Sequence, residues 1–132
     1  MNNSGSMKKY ILISILLILL PSGFGQLVPG DIIRAFETGD AKELAEYFNS
    51  NIELQLPDKT HVASKTQATR IMQDFFKENP PLSFKLEYEG TKQDSKYGLG
   101  TLETRKGSFR VNLYFMDGKK EKIIYFLSIE KS

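Results

Sequence analysis

The chain contains no cysteine and no tryptophan, and its single histidine is His61. Without cysteine there is no disulfide, no thiolate ligand for zinc or an iron–sulfur cluster, no thiol nucleophile and no N-terminal cysteine to carry a lipid. One imidazole does not make a histidine metal site, and no other strong ligands are spaced around it. Glycine-rich phosphate loops, Walker motifs and nucleophile elbows are missing as well. A surplus of one charge is also lacking. The 18 basic residues exceed the 16 acidic ones, but setting aside Lys8 and Lys9 at the N-terminus brings the two counts level. A neutral domain has no strong electrostatic pull on nucleic acid or on an anionic membrane. No catalytic residue, metal ligand, cofactor or nucleic-acid partner is therefore expected.

What is present has globular composition, with 132 residues, 40% of them hydrophobic and 26% charged. That length suits one domain. The first 25 residues read as a signal peptide. Lys8 and Lys9 form a positive region, and Tyr10 to Leu20 is an apolar run broken only by Ser14. Gly23 and Gly25 are small residues at the positions a signal peptidase reads, just before Gln26. The run is too short to span a bilayer, which takes about 20 apolar residues. Met7, directly ahead of the lysines, is a more natural start than Met1. The expectation is an exported protein, periplasmic or secreted, with no membrane segment after cleavage. Residues 26–132 then form a single domain, with no repeat, linker or low-complexity stretch.

The first part of that domain is helical. Pro29 to Thr38 forms a helix with Ile32, Ile33 and Phe36 on one face and Gly39 placed to end it. A second helix begins at Asp40, with Glu43 three residues on, and carries Leu44, Tyr47 and Phe48 at helical spacing. A third follows the Ser64/Gln67 capping box, with Ala68, Ile71, Met72, Phe75 and Phe76 as its stripe and Asn79-Pro80-Pro81 as its stop. Between the last two, Ile52 to Leu56 alternates as a strand, and His61 to Ala63 is a short return strand. After Pro81 the period becomes two. Phe84, Leu86 and Tyr88 share one face, as do Phe109, Val111, Leu113 and Phe115. The last strand runs from Lys122 to Glu130. Gly98 and Gly100 suggest a bulge or bend in the strand from Tyr97 to Arg105. The order of elements argues an α+β fold with helices on one sheet face.

Several segments resemble a known superfamily. They are Ala35-Phe36 with Gly39-Asp40, Leu44-Ala45 with Tyr47-Phe48, Ile52-Glu53-Leu54 with Pro57, and Ala68, Ile71 and Phe75-Phe76. They look like the front half of the nuclear-transport-factor-two-like superfamily, which includes SnoaL-like and cystatin-like proteins. Phe109-Arg110-Val111 and the closing Ile129-Glu130-Lys131 narrow the likeness to an exported bacterial family, domain of unknown function 4783. The resemblance implies a bent, mostly antiparallel sheet wrapped into a cone by three helices. It says almost nothing of function, because the superfamily holds isomerases, dehydratases, hydrolases, cyclases, binding modules and assembly modules.

Strand parity suggests where a site would lie. The inward set contains no carboxylate, and Glu87 and Glu89 point outward. A cone pocket bounded by Phe36, Phe48, Leu86, Tyr88, Phe115 and Tyr125 suits a small apolar ligand. Tyr88, Tyr97 and Tyr125 read either as pocket hydroxyls or as ordinary strand tyrosines. Asp58 and His61 read as an acid–base pair or as a turn and a surface histidine. Arg105, Lys106 and Arg110 read as a basic cluster or a solvated hairpin tip. On the last strand, parity sends Ile123, Tyr125, Leu127 and Ile129 inward and Ile124 and Phe126 outward. With Tyr114, the outward pair forms an apolar patch, for which the resemblance implies a homodimer interface. The expected function is non-enzymatic binding of a small apolar ligand or a protein partner. The alternatives are a small lyase, isomerase or hydrolase working in the cone, and a structural homo-oligomer module without ligand.

Overall fold

The computed structural model describes residues 26–132, so the expected signal peptide lies outside the described residues. Helix α1 spans Gly30–Thr38, α2 spans Ala41–Ala45 and α3 spans Lys65–Glu78. The strands are β1 (Phe48–Gln55), β2 (Thr60–Ser64), β3 (Pro81–Lys92), β4 (Ser95–Thr104), β5 (Gly107–Asp117) and β6 (Lys122–Lys131). They form one mixed sheet in the order β2-β1-β6-β5-β4-β3, with β1 and β6 parallel and all other neighbours antiparallel. Helix α1 packs on β3, and α3 packs on β1, β2 and α2.

The local signals explain these ends. Gly39 adopts the left-handed conformation at φ 69°, which a residue with a Cβ takes at a cost, and so closes α1. The Asp40 carboxylate then accepts from the Glu43 N–H at 3.0 Å and opens α2. At α3 the expected capping box is complete. Ser64 Oγ accepts from the Gln67 N–H at 3.2 Å, and Gln67 Oε1 accepts from the Ser64 N–H at 3.1 Å. The second helix is shorter than its periodicity suggests. Phe48 starts β1 and pairs with Ile124 of β6, so sheet pairing takes the residue that helical spacing assigned to α2.

A seam of phenylalanines holds the helices to the sheet. Phe36 of α1 stacks on Phe84 of β3 at 4.9 Å between ring centres and meets Phe76 of α3 edge-on at 6.2 Å. Phe75 of α3 meets Phe109 of β5 edge-on at 5.3 Å. All five rings are buried, together with Ile32, Leu44, Leu54, Met72, Leu113, Phe115 and Leu127.

Two inserted residues break the expected strand parity. In β3, Leu86 faces Gly100 while Tyr88 faces Leu99, which leaves Glu87 as the extra residue of a β-bulge. In β6, Ile124 faces Phe115 while Phe126 faces Tyr114, which leaves Tyr125 extra. Each bulge turns the following side chains by one position. Tyr88 therefore leaves the core side and is 68% exposed. Ile124 is 0% exposed in the core and cannot belong to an outer patch. Tyr125 lies on the outer face, where its hydroxyl bonds to Ser95 Oγ and its ring stacks on Tyr114 at 6.4 Å between ring centres.

Glu89 also turns inward, not outward as parity suggests. Beyond the Glu87 bulge it sits opposite buried Gly98, and its Oε2 accepts from the backbone N–H groups of Leu27 and Val28 at 2.9 and 3.0 Å. Those bonds seat fully buried Val28 over Gly98. A Cβ on Gly98 would come within 2.8 Å of Val28 Cγ2, and one on Gly100 within 2.7 Å of the Phe84 ring. The two glycines thus admit close neighbours, and the bulge lies in β3, not in their own strand. At the β5–β6 end, Lys122 and Lys96 bond to Asp117 and hold its carboxyl at about 2, below the usual carboxylate range.

The seam makes a direct prediction. Phe75→Ala lowers stability by about 3–5 kcal/mol through the cavity it leaves. His61→Ala on β2 stays within about 0.5 kcal/mol. Urea unfolding of both variants checks this, and equal losses would contradict the packing described.

Candidate functional site

The six residues expected to bound a cone pocket do not enclose one. Phe36, Phe48 and Phe115 are buried in the closed core, and Leu86 packs against its edge. Tyr88 and Tyr125 lie on the opposite face of the sheet.

That outer face carries a cleft of about 540 Å³, lined by Glu87, Tyr88, Leu99, Gly100, Arg110, Asn112, Ser128 and Glu130. Its volume is in the range that holds small molecules, about 300–1,000 Å³. Two rows of side chains across β3, β4, β5 and β6 build it. One row is Glu87, Thr101, Arg110 and Glu130, in which Arg110 faces Thr101 on one side and Glu130 on the other. The Thr101 hydroxyl donates to Glu87 Oε1. The next row is Tyr88, Leu99, Asn112 and Ser128, each opposite its neighbour. The bulge at Glu87 brings both Glu87 and Tyr88 to this side. An unbroken strand would send Tyr88 into the core.

The floor is polar and partly buried. Ser128 is only 5% exposed although its side chain lines the cleft. Asn112 Oδ1 is buried and, among the described residues, has no hydrogen-bond partner. A buried acceptor left unpaired costs roughly 1–3 kcal/mol, so natural proteins keep few of them. Ion pairs among the described residues join Arg34 to Asp31 and Glu43, and Asp117 to Lys96 and Lys122, so Arg110 takes part in none.

Beyond the cleft the same face continues as an aromatic row. Tyr114 lies 6.4 Å from Tyr97, 6.4 Å from Tyr125 and 5.4 Å from Phe126 between ring centres. Of the expected patch of Tyr114, Ile124 and Phe126, the first and last are half-buried here and Ile124 is inside.

The remaining sequence candidates do not converge. His61 lines an open groove with Lys59, Val62 and Arg70 at the β2 edge, and among the described residues it makes no hydrogen bond to Asp58. Arg105 and Lys106 form the β4–β5 hairpin tip, where the Arg105 N–H donates to Pro80 O at 3.1 Å, while Arg110 belongs to the cleft. No group of three His, Asp or Glu side chains among the described residues is placed to hold a metal ion. Sequence reasoning missed Glu87, Leu99, Asn112, Ser128 and Glu130. The polar residues that alternate with core residues on β5 and β6 were the available signal, since Arg110 and Asn112 must share a face with Ser128 and Glu130 once the pairing is known.

A six-stranded mixed sheet with three helices on its inner face is the nuclear-transport-factor-two-like α+β fold. An NTF2-like protein from Cytophaga hutchinsonii ATCC 33406 shares it at 11% identity and TM-score 0.54, over 77% of this chain and 84% of that one. The chain itself belongs to the DUF4783 family, a domain of unknown function whose sequence profile matches residues 29–130. A DUF4783 protein of Bacteroides ovatus ATCC 8483 is 31% identical, with a TM-score of 0.76 over 82% of this chain and 98% of its own. One from Bacteroides fragilis YCH46 is 28% identical, with a TM-score of 0.75 over 80% and 99%. No curated protein matches the sequence.

Proposed function

We propose that this domain is a non-catalytic binding module that takes a small ligand in the outer-face cleft, not in the cone. The observation that carries this reading is the contrast between the two faces. The inner face is packed by phenylalanine rings, while the outer one holds a ligand-sized cleft with an exposed tyrosine wall and a polar floor. The catalytic alternative has less support. Proton-transfer catalysis needs a group whose proton affinity is tuned by apolar enclosure. Among the described residues the buried polar residues are Thr104 and Ser128, neither of them a carboxylate or imidazole. Thr104 is occupied in its hairpin, donating to Gly107 O at 2.8 Å.

A thermal-shift screen of sugars, amines, carboxylic acids and fatty acids tests the reading on wild type and Tyr88→Ala. Tyr88 is mostly exposed, so the variant should melt with the wild type. A polar ligand that raises the wild-type melting temperature should raise that of the variant less. Stabilisation by fatty acids alone, equal in both proteins, would return the site to the cone and contradict the proposal.

The half-exposed row of Tyr97, Tyr114, Tyr125 and Phe126 favours a second reading, in which a second copy of the chain docks beside the cleft. Sedimentation at micromolar concentration decides it. A dimer that Phe126→Glu splits while remaining folded supports the reading, and a monomeric wild type rejects it.

A further inference from the structure

We infer that the cleft binds a pyranose ring of a neutral saccharide. This rests on the cleft being the binding site and concerns what the site selects.

The lining mixes hydrogen-bonding senses. The carboxylates of Glu87 and Glu130 accept, the guanidinium of Arg110 donates, and the Ser128 hydroxyl and Asn112 amide do both. An anionic ligand meets two carboxylates there, and a cationic one meets Arg110. A hydroxyl donates and accepts at once. Adjacent hydroxyls on one ring therefore match a lining in which Arg110 stands directly opposite Glu130 and two residues along β5 from Asn112.

The floor holds an orphan acceptor. Asn112 lines the cleft, and among the described residues its buried Oδ1 has no partner, so a donor from the cleft would satisfy it once the side chain turns outward. A sugar hydroxyl supplies that donor without bringing a charge into a site that already holds both signs. Tyr88, 68% exposed beside Leu99, adds a ring with a flat apolar face next to a polar floor. A pyranose has the same division, with an apolar C–H face and a rim of hydroxyls. A fatty acid would leave the floor unsatisfied, and a simple polyamine or dicarboxylate would leave the tyrosine face unused.

The test is backbone amide NMR of the ¹⁵N-labelled chain, titrated separately with glucose, N-acetylglucosamine, maltose, putrescine and succinate. At least one of the three neutral sugars should move the amides of Leu99, Asn112 and Ser128 and leave those of α3 in place. Tyr88→Ala and Asn112→Val should each weaken that binding about tenfold or more, the loss of one good contact. Asn112→Val removes the unpaired acceptor and should melt no lower than wild type, so its loss of binding would not reflect unfolding. Shifts of the cleft amides by putrescine or succinate alone would overturn the saccharide assignment and leave the cleft standing as a site. Silence of those amides toward all five probes would overturn both.

Discussion

The residue inserted at Glu87 in β3 and the one at Tyr125 in β6 decide which of the following side chains meet the core and which meet solvent. Alternation along a strand has a period of two, so a single extra residue exchanges the faces of everything beyond it. Glu87 is the extra residue in β3, and past it Tyr88 turns out to wall the cleft while Glu89 turns to the inner side. Tyr125 is the extra residue in β6, and around it Ile124 enters the core while Phe126 joins Tyr114 outside. The closed cone and the open outer cleft are two consequences of the same pair of insertions.

The inner side uses this arrangement to seal itself. Phe36, Phe84, Phe76, Phe75 and Phe109 run from α1 through α3 to the centre of the sheet. At the end beyond the β3 bulge, Glu89 holds the backbone of Leu27 and Val28, and Val28 fills the space left by Gly98. A carboxylate that accepts two backbone N–H groups serves structure there. The outer side is left open as a cleft, and its polar groups sit on the strands, where sheet pairing fixes their spacing.

Much of this architecture was legible in the residues. The α3 stripe, its capping box, the Gly39 stop and the alternation of β5 each report local physics, and local physics prevails there. The family resemblance supplied the bent sheet under three helices, but not the strand order or the parallel pairing of β1 with β6. The site was less legible. Phe84, Leu86 and Tyr88 alternate without a flaw, and nothing in that run marks Glu87 as extra. The insertion becomes evident only against Gly100 and Leu99 across the strand pair. Ile123 to Leu127 is apolar throughout, so its faces are assigned only once β5 and β1 are paired to it. Asn112 and Ser128 read as ordinary wet-face residues until neighbouring strands bury them together.

Hydroxyl-radical footprinting of the wild-type protein, read by mass spectrometry residue by residue, tests the two insertions most directly. Tyr88 should be oxidised fastest among the tyrosines of the sheet, Tyr125 and Phe126 at intermediate rates, and Ile124, Phe36 and Phe115 barely at all. Protection of Tyr88 together with oxidation of Ile124 would restore plain alternation and contradict the account.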